Sequence, residues 1–241
     1  MEFQIHKFGG TSLAHVEALE HVCKIIKINH QTKSAVVLSA MAGVTNQLVD
    51  LCQLAIHKKE ESDLIAESVF SHFKTVAESF LNSDDCEQYN EMLLVDFKQL
   101  KELLNSSRIV GKISQQNFEF IVGLGEVWTS RLVYSKLKNK IDYARWIDSR
   151  KTLIVKDTDN GLEYDRELSL KKLNADSSGD QKELLIITGY IAQTEEGVAT
   201  TLGRNGSDFS ASIYGDILSA KQITIWTDVD GVMSADPRIV P

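Results

Sequence analysis

Proline is almost missing from this sequence. Of 241 residues only Pro237 and Pro241 are proline, so no helix or strand before them need be broken by a residue that lacks an N–H. Cysteine is equally scarce: Cys23, Cys52 and Cys86 are far apart and odd in number. No C-x-x-C pair occurs, so the pattern suggests neither a disulfide framework nor a cysteine zinc site and leads us to expect a reducing cytoplasm. The six histidines have no ligand spacing, so no metal ligand is assigned. No apolar run approaches the roughly 20 residues that cross a bilayer, and Met1 to Ser12 lacks the apolar core of an export signal. Positive charge is also short, with 26 basic against 34 acidic residues and a net charge of -8, which disfavours nucleic acid as a partner. The motif G-x-x-x-x-G-K-[ST] is absent, as are H-R-D and D-F-G, so neither a P-loop nor a protein-kinase site is available.

What is present is an ordinary globular composition, 43% hydrophobic and 25% charged, in a chain long enough to bury a sizeable core. Short apolar runs alternate with longer helical patterns, the signature of βαβ units and a mainly parallel sheet covered by helices on both faces. Phe3 to Phe8 predicts a first strand running into Gly9-Gly10, followed by helical spacing from Leu13. Ala35 to Leu38 predicts a second strand, followed by a helix through Leu48 and Leu54. Residues 62–104 predict a helical hairpin broken near Asn82 to Asp85, with Leu64, Val69, Phe73, Val76 and Phe80 on one apolar stripe. Gln115 to Leu137 reads as one helix carrying Glu126. Further strands are expected at 144–147, 153–155, 184–187, 198–202 and 223–226, with a polar turn at 157–161, an exposed loop at 174–182 and a helix from Ser207 to about Ser219.

Two segments have the chemistry of a phosphoryl-transfer site. In Lys7-Phe8-Gly9-Gly10-Thr11-Ser12, adjacent glycines after a strand let backbone N–H groups approach phosphate oxygens, the following helix adds its positive amino end, and Lys7 brings a mobile charge. Such a turn also needs glycine for conformation alone. In Leu202-Gly203-Arg204-Asn205-Gly206-Ser207-Asp208 a guanidinium, two glycines, a hydroxyl and a carboxylate share one strand-to-helix turn. Arg204 suits a carboxylate bound through two parallel hydrogen bonds, and Asp208 suits a lysine near the transferred phosphate. Ser207 and Asp208 also serve as helix caps. Glu126 taken alone reads as a solvated helix residue, and Asp228 and Asp230 taken alone as turn formers before Gly231.

Together with Ser39 to Asn46, Gly125-Glu126, Trp226 to Val232 and Asp236-Pro237-Arg238, these segments resemble, in order, the motifs of aspartate kinases in the amino-acid kinase superfamily. The resemblance implies a three-layer α/β/α fold, with an amino-acid half over about 1–183 and a nucleotide half over about 184–241. It implies ATP with Mg²⁺ and L-aspartate as substrates, in a cytoplasmic enzyme of amino-acid biosynthesis that assembles as a homo-oligomer. By position, Lys7 with the Gly9 and Gly10 amides would neutralise the passing phosphoryl group, and Asp208 would organise Lys7. Aspartate would be held by Ser39, Thr45, Glu126, Tyr190, Arg204 and Ser207. The nucleotide would meet Thr227, Asp228, Asp230, Met233 and Arg238.

Such kinases usually continue with more of the nucleotide subdomain and ACT regulatory domains, so residues 1–241 are expected to be a catalytic domain cut short at its carboxy end. Asn205 and the Ile225 to Asp230 run look more like kinases fused to homoserine dehydrogenase than like the shorter stand-alone enzymes. The nearest alternative is a kinase for glutamate, acetylglutamate or carbamate. A different alternative is a non-catalytic module that binds nucleotide and amino acid.

Overall fold

The computed structural model describes residues 2–159, 161–175, 179–180, 182–203 and 205–227. Strand β1 (Gln4–Phe8) passes through Gly9 and Gly10 into a 3-10 turn (Thr11–Leu13) and then helix α1 (Val16–Asn29). Strand β2 (Ser34–Leu38) leads to α2 (Val44–Leu54). Helices α3 (Lys59–Phe80) and α4 (Ser83–Val110) form the expected hairpin. It divides at Leu81 and Asn82, where the Asn82 side chain accepts the Asp85 N–H at 2.9 Å and caps α4. Then follow α5 (Gln115–Val122), α6 (Leu124–Leu137), β3 (Ala144–Ile147), the short α7 (Ser149–Thr152), β4 (Ile154–Thr158), β5 (Gly161–Tyr164) and α8 (Arg166–Asn174). The remaining elements are β6 (Leu184–Thr188), β7 (Ile191–Thr194), β8 (Ala199–Thr201), α9 (Gly206–Ile217) and β9 (Gln222–Trp226).

The central sheet has five strands in the order β3-β6-β2-β1-β9, all paired in parallel. Its middle strands are buried on both faces, as a parallel sheet between helical layers requires. Val36, Leu38, Leu184 and Ile186 face a core built with α1 to α6. Ala35, Val37, Leu185 and Ile187 face a second core with α8 and α9. The α/β/α layering read from the sequence is therefore the observed architecture. A smaller sheet, β5-β4-β7-β8, pairs β4 with β7 in parallel and the other neighbours antiparallel.

The structure corrects several local expectations. Residues 115–137 form two helices, because the chain turns at Gly123, where a Cβ would stand 2.6 Å from Ile191 Cγ2. Leu64 is exposed; the buried stripe of α3 runs through Ser62, Ala66, Val69, Phe73, Val76, Ala77 and Phe80. The polar turn expected at 157–161 belongs partly to the β4–β5 hairpin, and β5, β7 and α8 were not anticipated. The strand expected at 198–202 is observed as β8, paired with β7 in the smaller sheet.

Candidate active site

The parallel strands deliver their carboxy ends to one side of the sheet, where open α/β folds gather their ligand-binding loops. Here that side holds a cleft of about 490 Å³ lined by Gly10, residues 39–43, Thr45, Asn46, Glu126, Tyr190, Gly203 and residues 205–207. The structure thus brings together Gly10, Ser39, Thr45, Glu126, Tyr190 and Ser207 from the residues singled out in the sequence. Lys7 and Asp208 flank the cleft through Gly10 and Ser207, their near neighbours in the chain.

Lys7 lies in β1, on the sheet face opposite Phe8, and meets Asp208 in the first turn of α9: its Nζ is 2.8 Å from Asp208 Oδ1. The lysine side chain is 9% exposed and the aspartate side chain 44%, so the pair is dry at one end and wet at the other. A Cβ on Gly9 would stand 3.4 Å from the Lys7 ammonium, and one on Gly10 would stand 3.1 Å from the Ala40 carbonyl oxygen. Any side chain at Gly10 would therefore force the turns after β1 and β2 apart. One expectation fails here. The glycine turn runs into the 3-10 turn, not into α1, and α1 is capped by His15, whose Nδ1 accepts the Ala18 N–H at 3.3 Å. The positive end of α1 is therefore not presented at Gly9 and Gly10.

The opposite wall is built on α6. Gly125 leaves no space for a side chain, since a Cβ would lie 2.8 Å from Ala40 Cβ and 3.0 Å from Val44 Cγ1. The loop after β2 therefore lies flat on the first turn of α6. That contact buries Glu126, which is 4% exposed, and the solvated-helix reading of this residue does not apply. Burial pushes its carboxyl up to about 8, against the opposing effect of hydrogen bonds from the Ala40 amide and its own amide. Among the described residues, Glu126 Oε2 has no hydrogen-bond partner. A buried acceptor beside a cleft, with one oxygen unused, is suited to a ligand ammonium group.

The third wall comes from the turn after β6 and the start of α9. A Cβ on Gly189 would sit 2.9 Å from both the Leu38 carbonyl oxygen and Ser207 Cβ, so β2, the β6 turn and α9 meet without a gap. Ser39 Oγ donates to Ser207 Oγ at 2.8 Å across this junction. Tyr190 adopts φ 68°, a left-handed conformation uncommon for a bulky residue. Its N–H is held by Ser210 Oγ at 2.9 Å, and its carbonyl accepts the Leu202 N–H at 2.7 Å. Burial lifts its hydroxyl above the ordinary range despite a hydrogen bond to Thr201, and the nearby Glu126 acts in the same direction.

Thr227 is exposed and follows Trp226, the register partner of Phe8, which places it at the same end of the sheet as Gly9 but outside the cleft lining. Arg204, Asp228, Asp230, Met233 and Arg238 lie outside the described residues. Sequence reasoning missed Thr129 and Ser210, buried hydroxyls that bond to the cleft loops. Serine or threonine within a helix has no local signal that separates such a role from simple tolerance. Among the described residues, no group of three or more His, Cys, Asp or Glu side chains could hold a metal ion.

Residues 2–241 match the Amino acid kinase family. The bifunctional aspartokinase/homoserine dehydrogenase 2 of Arabidopsis thaliana, a chloroplastic protein, is 37% identical over 240 residues, covering 99% of this chain and 26% of that protein. The enzyme of the same description from Escherichia coli is 32% identical over 242 residues, covering 98% of this chain and 28% of that protein. The chain thus spans about a quarter of the length of these relatives. Among solved structures, E. coli aspartokinase III in complex with aspartate and ADP superposes with a TM-score of 0.85 at 28% identity, over 99% of this chain and 52% of that one. With the match running over nearly every residue, and with the parallel sheet and its carboxy-end cleft in place, the chain belongs to the amino acid kinase family.

Proposed function

We propose that this chain transfers the γ-phosphoryl group of ATP to the side-chain carboxylate of L-aspartate, forming 4-phospho-L-aspartate and ADP. The observation that carries the reading is a cleft lined by the buried Glu126 carboxyl, which a ligand ammonium would hold ionised, and flanked through Gly10 and Ser207 by the Lys7–Asp208 ion pair. An amino acid with an acidic side chain matches that polarity, its ammonium toward Glu126 and its side-chain carboxylate toward Lys7. E. coli aspartokinase III, solved in complex with aspartate and ADP, points the same way.

In this mechanism a β-carboxylate oxygen attacks the γ-phosphorus as the bond to the bridging oxygen of ADP breaks, and that oxygen leaves with the electron pair. The carboxylate is ionised at neutral pH, so no proton has to be removed and no strong base is required. Lys7, with the Gly9 and Gly10 amides, neutralises the charge on the phosphoryl oxygens during transfer. Asp208 keeps the Lys7 ammonium in place. Ser39, Thr45, Tyr190 and Ser207 shape the amino-acid pocket, Arg204 clamps the α-carboxylate, and Thr227, Asp228, Asp230, Met233 and Arg238 meet the nucleotide. Mg²⁺ arrives with ATP, and its donors are chiefly phosphate oxygens and water.

We further place the protein in the cytoplasm, in the pathway that makes lysine, threonine and methionine, as part of a homo-oligomer. Three free thiols, Cys23, Cys52 and Cys86, suit a reducing compartment. Among the described residues no helix is long and apolar enough to cross a membrane. Incubation with ATP, Mg²⁺ and hydroxylamine, with L-aspartate, L-glutamate, N-acetyl-L-glutamate or carbamate in separate reactions, tests the substrate. Aspartyl hydroxamate should form with aspartate alone, and product from glutamate in its place would overturn the reading.

A further inference from the structure

Two helices border the cleft, and each holds a cleft loop by the same device. On α6, Thr129 Oγ1 donates to the Gly125 carbonyl at 2.7 Å and accepts the Met41 N–H at 3.1 Å. On α9, Ser210 Oγ donates to the Gly206 carbonyl at 2.9 Å and accepts the Tyr190 N–H at 2.9 Å. Both hydroxyl residues are fully buried. In each case the hydroxyl spends its proton on the carbonyl four residues earlier, which leaves its oxygen to fix a backbone amide of a loop from another strand.

The loops so fixed are those that form the amino-acid pocket. Met41 lies in the loop whose Ala40 amide donates to Glu126. The carbonyls of Gly125 and Gly206 belong to the helix starts that carry Glu126 and Ser207. Tyr190 has φ 68°, a conformation that persists only where its surroundings hold it. We propose that Thr129 and Ser210 are positioning residues, two matched latches that hold the Ala40–Met41 and Gly189–Tyr190 backbones against the helices carrying the pocket's side chains. The assignment of these loops to aspartate rests on the function proposed above.

The latches make a prediction that a general packing role does not. T129V keeps the side-chain shape, removes the hydroxyl and leaves the Met41 amide buried without an acceptor. Hydrogen exchange of the Met41 amide should quicken at least about tenfold in T129V and return toward wild type in T129S, while exchange at Tyr190 stays unchanged. S210A should give the converse, with Tyr190 quickened and Met41 unchanged. Steady-state kinetics of the whole protein should show the KM for aspartate raised about tenfold in either variant, the KM for ATP unchanged, and T129S close to wild type.

Unchanged exchange at Met41 in T129V and at Tyr190 in S210A would overturn the proposal, as would both KM values rising together. If T129V does not fold, S210A decides the question at Tyr190. Wild-type protein that fails to bind aspartate would refute the functional reading alone, since amide exchange needs no substrate and still decides whether the latches exist.

Discussion

The two charged walls of the cleft are built in opposite ways. At the α6 wall a lone carboxyl group, Glu126, is sealed from water, and burial pushes it up to about 8. At the β1–α9 wall an ion pair keeps its lysine end buried and its aspartate end 44% exposed. The first arrangement disfavours the ionised carboxyl, and a ligand ammonium beside it would restore that form. The second is already paired, and its exposed aspartate end lets water share in balancing the Lys7 charge. Under the proposed function, the buried wall serves recognition and the paired wall serves transfer.

The largest effect should come from the transfer wall. Replacing Lys7 by methionine keeps the length of the side chain and removes the charge. We expect kcat for aspartate phosphorylation to fall about 10³-fold with little change in the KM for aspartate. A rise in KM at constant kcat would merge the two walls into one binding surface.

The recognition wall is tested by E126Q, which should raise the KM for aspartate by at least about 30-fold, the loss expected when one partner of a buried charge pair is removed. The same variant has a second signature. Folding lifts the Glu126 carboxyl from 4.5 to about 8, so across that window the folded protein binds more protons than the unfolded chain. Stability of the ligand-free protein therefore falls as pH rises from about 4.5 toward 8. Glutamine does not titrate. Melting curves at pH 5, 6.5 and 8 should show E126Q gaining on wild type as pH rises, by an amount on the order of a few kcal/mol at the upper end. A constant difference would place Glu126 in a wetter site than the structure gives it.

A smaller effect is expected at the base of the recognition wall. G125A would drive a methyl group against Ala40 Cβ and Val44 Cγ1, at 2.8 and 3.0 Å. We expect about 1–3 kcal/mol of lost stability in chemical denaturation. The KM for aspartate should rise as the loop is displaced, with the KM for ATP unmoved.

How much of this could be read from the chain follows from the same contrast. The transfer wall sits on a strand with a glycine turn and on the start of an amphipathic helix, both of which declare themselves locally, so Lys7 and Asp208 stand out with their turns, and the structure pairs them. The recognition wall rests on α6, which is buried almost all round from Leu124 to Val133. A helix apolar or buried on every side has no stripe to reveal its ends, so the break at Gly123 was invisible and residues 115–137 read as one helix. Gly123 is required by Ile191, nearly seventy residues later, and no local pattern encodes that contact. Leu64 erred the other way, an apolar residue at a nearly helical spacing that the packing of α3 leaves outside. Helix α8 and strands β5 and β7 are short and flanked by polar residues, too brief for periodicity to separate them from loops.

The smallest stability effect belongs to D208N. The aspartate is substantially exposed, so the ion pair with Lys7 should contribute less than about 1 kcal/mol to folding. The value of Asp208 lies in keeping Lys7 in place, and kcat should fall about tenfold or more while the melting curve barely moves. A large loss of stability with kcat intact would recast Asp208 as a structural group.

The most direct test of the division between the walls is a crystal structure of the protein with L-aspartate and a non-hydrolysable ATP analogue. The account predicts the substrate ammonium within about 3 Å of Glu126 Oε2, and Lys7 Nζ at a similar distance from a γ-phosphoryl oxygen, with the β-carboxylate between them. An aspartate bound in the reverse sense, its ammonium toward Lys7 or its carboxylates on Glu126, would contradict it.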